Sequence, residues 1–201
     1  AASIIKAWQE REPALVARLE RHLGQLALAR SIRATQVSGA QIELRVARLP
    51  RSRGGGPRDL VNIADVGFGV SQALPVVVAL LAADFSGLVY VEQPELHLHP
   101  RAQVALAGIL ADAAKRGVRV VAETHSSLLL LGLRTLLAEG KLDPALVKLH
   151  WFERGSDGVT KVTSGDIDQT GAWDDWPEDF ADVTLDAQAR YLEAAEAKLL
   201  A

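Results

Sequence analysis

The sequence predicts an α/β fold in which parallel strands are flanked by helices, with a helix and a β-hairpin ahead of them. From residue 61 onward, short apolar runs alternate with longer helical stretches, the pattern of a parallel sheet covered by helices. Residues 88–91 (LVYV) are continuously apolar, and 118–121 (VRVV) are apolar except for Arg119, as strands buried on both faces nearly are. Both runs end in polar residues, Glu92-Gln93 and Glu123-Thr124-His125, at the strand ends where an open parallel sheet binds its ligands.

In chain order, residues 3–23 form an amphipathic helix, with Ile4, Ile5, Trp8, Leu15, Leu19 and Leu23 at near-helical spacing and Gly24 placed to stop it. Pro13 predicts a break or kink inside it. Segments 31–37 and 41–49 alternate around Ser38-Gly39 and read as a hairpin, and 50–58 (PRSRGGGPR) as a flexible basic loop. Next come a helix over about 72–83, a strand over 88–92, a helix over about 101–115, a strand over 118–122 and a helix over 127–138. Residues 147–153 and 159–162 read as edge strands joined by a turn through 155–158. A Trp/Pro/Asp-rich connector, 171–182, leads to a terminal helix over 185–200. The expected organisation is 1–60 (helix, hairpin and loop), 61–163 (the α/β lobe) and 164–201 (an acidic appendage).

With 201 residues and a 49% apolar fraction, the chain can bury the core of one sizeable domain. The longest apolar candidate, 73–83, contains Pro75 and falls short of the roughly 18 residues of a membrane span, so no membrane role is expected. Residues 1–10 lack the charged start and apolar core of a secretory signal, and there is no cysteine for a disulfide framework; both favour the cytoplasm. The chain contains no methionine, which leaves a fragment, a processed chain or a trimmed one all open. The net charge of −3 hides an asymmetry: residues 1–60 hold eleven Lys/Arg against five Asp/Glu, and 164–201 hold two against ten. A basic lobe attracts nucleic acid. Here Arg11, Arg18, Arg21, Arg30 and Arg33 fall on one long helix and the strand after it, and a solvated helix face is the preferred reading.

Chemistry concentrates in three stretches. In LVYVEQPELHLHP (88–100), a strand ends in Glu92 and Gln93, where an acid suits hydrated Mg²⁺ on nucleotide phosphates; the plain alternative is strand capping by Glu92 and a turn begun at Glu95. In DVGFGVSQ (65–72), two glycines precede an apolar helix, and amides at a helix N-terminus favour anions, although a GxG alone reads as an ordinary turn. In VRVVAETHSS (118–127), a second strand runs into His125, which on its own reads as structural.

Together, glycine turn, helix, strand with acid, HLHP, helix and strand with histidine resemble the second half of the nucleotide-binding domain of ABC-type ATPases. The likeness is to SMC, RecF and OLD-like proteins and a related AAA/ABC-type family whose Walker B reads EQPE followed by HLHP. It covers 61–133, and more loosely the whole chain, since residues 173–180 are similar to a tryptophan-proline motif near that family's C-terminus. The resemblance implies the C-terminal lobe of a P-loop NTPase, the ABC-ATPase head, with ATP and Mg²⁺ as cofactors. It implies that Val66, Gly67, Phe68, Gly69, Ser71 and Gln72 belong to the signature loop that binds the γ-phosphate of ATP held by an opposing subunit. Glu92 falls on the Walker B acid, which holds Mg²⁺ through water, and Gln93 on the catalytic glutamate. Leu96 to His99 match the D-loop, where His99 would contact nucleotide, and His125 the switch histidine.

Two departures bear on activity. Gly67 stands where the signature usually has serine. Gln93 orients water but does not accept its proton as a carboxylate does, which leaves Glu95 as the nearest alternative base and predicts slow hydrolysis. No GxxxxGK followed by Ser or Thr occurs: the only Gly-Lys pair, Gly140-Lys141, precedes leucine, with Thr135 at the position that requires glycine. In the resembling families that Walker A loop lies near the start of the protein, ahead of a long insertion or coiled coil, so this chain is expected to be the part after it.

The implied function is ATP binding and hydrolysis by a head that dimerises around ATP, with itself or a second ATPase head. It is completed by an N-terminal Walker A segment and acts on or signals to a nucleic-acid-processing effector such as a nuclease. A second reading, favoured by Gln93, is an ATP-gated binding switch with little hydrolysis. A third is a metal-dependent hydrolase using His97 and His99 as HxH, with His125 as third ligand.

Overall fold

The computed structural model describes residues 1–49, 59–173, 189–193 and 196. The chain divides into two compact units, Ala1–Leu136 and Leu137–Ala201. The predicted loop 50–58, most of the tryptophan-proline segment and most of the terminal helix fall outside the described residues; 189–193, within that last stretch, are helical.

The first unit opens with two helices, α1 (Ala2–Arg11) and α2 (Pro13–Gln25), where the sequence suggests one broken or kinked helix. Glu12 leaves helical geometry at φ −139°, ψ 62°, and Pro13 starts α2 at its first turn, where a missing N–H costs nothing. Gly24 does not end α2. The helix runs one residue further, to Gln25, and closes in a Schellman arrangement: the Leu28 N–H donates to the Leu23 carbonyl at 2.9 Å, that of Ala27 to Gly24 at 3.0 Å, and Ala27 takes φ +55°.

The hairpin forms as predicted, from β1 (Ser31–Gln36) and β2 (Ile42–Ala47), antiparallel with Ile32 opposite Val46 and Ala34 opposite Leu44. A short β3 (Val61–Asn62) pairs antiparallel on the far side of β2. This leaves β1 as an edge strand, and the helices cover it: the Ile32 N–H donates to Glu20 Oε1 at 3.1 Å and that of Ala34 to Gln9 Oε1 at 2.7 Å. Asp59 Oδ2 accepts from the Arg48 and Leu49 amides at 2.9 and 2.7 Å.

The α/β part comprises α3 (Phe68–Ala82), β4 (Leu88–Glu92), α4 (Pro100–Lys115), β5 (Arg119–Glu123) and α5 (Ser127–Ala138). β4 and β5 are parallel neighbours in register from Leu88 opposite Arg119 to Glu92 opposite Glu123. Helix α3 begins at Phe68, four residues earlier than the sequence suggests, because Gly67 serves as its N-cap. Val89 joins the core formed with Leu74, Val77 and Val78 of α3 and Leu106, Ile109 and Leu110 of α4, and Val91, Val120 and Ala122 pack against it. Full burial of each such large aliphatic side chain is worth about 1.5–3 kcal/mol.

The expectation that both strands are buried on both faces does not hold. Leu88, Tyr90 and Val121 are 62%, 57% and 50% exposed. One face of the pair packs on helices, whereas the face carrying Leu88, Tyr90, Glu92, Arg119, Val121 and Glu123 has no covering layer among the described residues. Arg119, the polar interruption in the second run, stands on that open face, where its guanidinium donates to the Ser86 carbonyl at 3.1 and 3.2 Å. No helix among the described residues is long and apolar enough to cross a membrane.

In the second unit, a 3₁₀ turn (Pro144–Leu146) leads into β6 (Leu149–Arg154) and β7 (Thr160–Gly165). These strands form their own antiparallel pair instead of edging the parallel sheet. Beyond them Asp168 Oδ1 accepts from the Thr170 hydroxyl and from the amides of Thr170 and Ala172, and its carboxyl is held below the ordinary aspartate range, chiefly by the Thr170 hydroxyl.

Candidate functional site

The candidate residues of the first unit lie at the carboxyl ends of β4 and β5 and at the start of α3. Glu92 and Glu123 are the last residues of the two strands and sit opposite one another, with Tyr90 two residues back on the same face. Tyr90 Oη donates to Glu92 Oε1 at 3.1 Å and lies 3.4 Å from Glu123 Oε2. The hydrogen bond to Glu92, with the charges of Glu92 and Glu123 adding to it, holds the phenol above its ordinary pKa of 10.0. Two carboxylates at adjacent strand ends make a negative rim open to solvent, and such a rim suits a hydrated divalent cation better than a bare phosphate.

Past Glu92 the chain turns sharply. Gln93 adopts φ +42° and His97 φ +65°, left-handed conformations that cost a non-glycine residue about 1–3 kcal/mol and persist only where surrounding contacts impose them. The contacts are present: the Gln93 N–H donates to the Glu123 carbonyl at 2.8 Å, that of Leu96 to Gln93 at 2.9 Å and that of Leu98 to Glu95 at 2.9 Å. Glu95 turns inward and is 7% exposed, whereas His125 is exposed. Glu95 Oε1 accepts from Thr124 Oγ1 at 2.7 Å and from the His125 N–H at 3.2 Å. Its Oε2 is buried and has no hydrogen-bond partner.

The glycine stretch splits between turn and helix. Val66 is extended, Gly67 is the N-cap of α3 and makes no side-chain cap, and Phe68, Gly69, Ser71 and Gln72 lie in the helix. The two glycines do different work. A Cβ on Gly67 would meet nothing within 4 Å, which leaves the helix N-terminus approachable, whereas a Cβ on Gly69 would lie 3.2 Å from both the His97 carbonyl oxygen and Leu28 Cδ2. Gly69 therefore lets α3 pack against the turn after β4. Phe68, 72% exposed, sets its ring 5.8 Å from that of His97. Ser71 Oγ donates to the Phe68 carbonyl at 3.0 Å within the helix.

The structure does not assemble His97, His99 and His125 into a metal site. The His97 ring lies against Phe68, and His99 Nδ1 caps α4 by accepting from the Arg101 N–H at 3.3 Å. No group of three His, Cys, Asp or Glu among the described residues can hold a metal ion together.

Sequence reasoning passed over Tyr90, Thr124, Gln103 and Ser126. Tyr90 reads as part of an apolar run, and only its place two residues before Glu92 on the same strand face signals its hydroxyl's role. Thr124 and Ser126 flank His125 directly, but their partners Glu95 and Gln103 are 29 and 23 residues away, which no local pattern reveals.

Residues 46–131 match a family model described as "AAA domain, putative AbiEii toxin, Type IV TA system". No curated protein matches the sequence. Among solved structures, the chain is similar to one from a study of ATP-driven dimerization and DNA-stimulated activation of SMC ATPases, with TM-score 0.56, 13% identity, and coverage of 92% of this chain and 97% of that one. It is similar to an Smc head bound to the C-terminal winged-helix domain of ScpA (TM-score 0.53, 15% identity, 82% of this chain). A third match is the Smc head domain with an extended coiled coil bound to the C-terminal domain of ScpA, from Pyrococcus furiosus (TM-score 0.54, 13% identity, 96% of this chain). The chain spans 46% and 40% of the length of those last two. Residues 46–131 thus resemble an AAA domain, and the chain shares the fold of SMC ATPase head domains.

Proposed function

We propose that this chain supplies the Walker B, D-loop, switch and signature elements of an ATPase head that closes with a second head, identical or different, around Mg-ATP. The observation that carries this reading is the register of β4 and β5. It sets Glu92-Gln93 beside Glu123-Thr124-His125 at the carboxyl ends of two parallel strands, where nucleotide enzymes of this fold class hold their metal and water. Glu92 is exposed, carries its hydrogen bond on one oxygen and stands on the open face, which fits contact with Mg²⁺ through water. The metal would offset phosphate charge. Gln93, half-exposed on its left-handed backbone, would orient the attacking water, and His125 would sense the γ-phosphate. Val66 to Gln72 and His99 would face the nucleotide of the opposing head, with the backbone amides at Gly67 replacing the usual serine hydroxyl. An N-terminal Walker A segment of the same protein would cradle the phosphates. The work is carried out in the cytoplasm, on or through a nucleic-acid-processing effector; DNA-stimulated SMC ATPases share the fold.

Steady-state ATPase rates and ATP affinities of the complete protein and its Glu92→Gln variant test this. Mg²⁺-dependent turnover lost in the variant supports the reading, and equal rates oppose it. One observation favours an ATP-gated switch with little hydrolysis: the neutral amide of Gln93. In that case ATP drives dimerisation at full extent while turnover stays near the uncatalysed level, which sedimentation and phosphate release measured on one sample separate.

A further inference from the structure

A closed ring of hydrogen bonds ties the turn that carries Gln93 to the loop that carries His125. Glu95 Oε1 accepts from Thr124 Oγ1 at 2.7 Å and from the His125 N–H at 3.2 Å. Thr124 Oγ1 in turn accepts from the Ser126 N–H at 3.0 Å. Ser126 Oγ donates to Gln103 Oε1 at 2.7 Å and accepts from the Leu129 N–H at 3.0 Å, capping α5. Gln103 Nε2 donates to the Leu98 carbonyl at 3.0 Å, and the Leu98 N–H returns to the Glu95 carbonyl at 2.9 Å. Each hydroxyl donates once and accepts once. The directions are therefore fixed, and no member can reverse without leaving a buried group unpaired.

We infer that Glu95 is a positioning residue that sets His125 relative to Gln93, and not the base that deprotonates the attacking water. The inference rests on the proposed ATPase reading for its effect on turnover, but not for the ring itself. A base needs an oxygen that reaches the reacting water. Glu95 is buried, and the oxygen with known partners already accepts two hydrogen bonds from the neighbouring loop. The groups that do reach solvent, Gln93 and His125, are the ones whose backbones the ring and the Gln93–Glu123 bond hold. The strained backbone at Gln93 and His97 brackets Glu95 on both sides, as expected where a turn is forced into shape by what it binds.

The test uses the complete protein with Glu95→Gln, Glu95→Ala, Thr124→Val and Thr124→Ser, read by ATP turnover, ATP affinity, and amide hydrogen exchange over residues 123–129. Glutamine keeps the acceptor but cannot act as a base, and valine keeps the shape of threonine without its hydroxyl. We expect Glu95→Ala and Thr124→Val to lower kcat about tenfold or more and to speed exchange over 123–129 by a similar factor, the scale of one lost buried hydrogen bond. ATP affinity should change by less than about threefold, because the ring meets His125 only through its backbone N–H and leaves Gly67 and Glu92 untouched. Glu95→Gln and Thr124→Ser should restore both readouts to within about threefold of the parent, and Glu95→Ala with Thr124→Val should be no worse than the poorer single variant. A Glu95→Gln variant as inactive as Glu95→Ala, with parental exchange, overturns the inference in favour of a base. So does parental exchange in both Glu95→Ala and Thr124→Val. A complete protein that hydrolyses no ATP would sink the ATPase reading, and the exchange measurements would still decide whether the ring holds the loop.

Discussion

The Gln93 N–H, one residue past the end of β4, donates to the carbonyl of Glu123, the last residue of β5, at 2.8 Å. This bond holds the backbone of Gln93 in its left-handed conformation, at the position that the proposed function assigns to the group facing the attacking water. Replacing the amide with a carboxylate of nearly the same shape keeps that geometry. Gln93→Glu in the complete protein should raise kcat for ATP by about tenfold or more, given that base catalysis contributes on the order of a hundredfold to ten-thousandfold. ATP affinity should be nearly unchanged. Phosphate-release assays on the two proteins check this.

The two glycines at the start of α3, Gly67 and Gly69, should respond in opposite ways. At Gly69 a methyl group must push on the His97 carbonyl, part of a turn that cannot give freely, so Gly69→Ala should cost about 1 kcal/mol in spite of alanine's better helix propensity. At Gly67 the space is open and serine is a favoured N-cap. Gly67→Ser should leave the denaturation midpoint equal or slightly higher and tighten ATP-dependent dimerisation. Chemical denaturation and sedimentation with and without ATP measure both effects.

Acid should weaken the first unit through His22. This side chain is buried, with Nδ1 3.0 Å from Gln25 Oε1 and Nε2 3.7 Å from Asp112 Oδ2. Burial pushes its pKa below 6.5, against the upward pull of Gln25 and Asp112, while Arg18 and Arg21 push it further down. The unfolded chain thus takes up a proton below about pH 6.5 that the folded chain resists, and stability falls as pH drops from 6.5 to the folded pKa. Burial also pushes the Asp112 carboxyl up, but the hydrogen bond and charge of Arg18 outweigh it and leave it lowered, so its contribution is lost only below about pH 3.8. Between pH 7 and 5 the thermal midpoint of the parent should fall more than that of His22→Gln, as calorimetry at both pH values would show.

Ala27 closes α2 in a conformation that glycine adopts without steric cost. Ala27→Gly should stabilise the protein by about 0.5 kcal/mol, the relief of the left-handed clash minus the entropy glycine loses on folding. A lower urea midpoint for this variant would contradict the assigned helix end.

The sequence made the hairpin, the parallel pair and the helices between them legible because their patterns are local: alternation over 31–47, apolar runs at 88 and 118, and the proline after His99. The end of α2 was misread because a glycine sits inside the last turn while alanine occupies the left-handed position. The burial of β4 and β5 was misread because Leu88, Tyr90 and Val121 are apolar on a face that no described element covers. Among the candidate site residues, the strand ends locate Glu92 and His125 in the fold, but the inward turn of Glu95 depends on Thr124 across the sheet, a contact between residues 29 apart.

The central claim is that the carboxyl ends of β4 and β5 form a Mg-ATP site. Its most direct test is the equilibrium affinity of the complete protein for ATP with and without Mg²⁺, in the parent and in Glu92→Gln. The account predicts that Mg²⁺ tightens ATP binding in the parent by about tenfold and that the variant loses this gain, consistent with the loss of one charged hydrogen-bonded contact. Equal affinities in the two proteins with Mg²⁺ present, or no ATP binding by the parent, would contradict it.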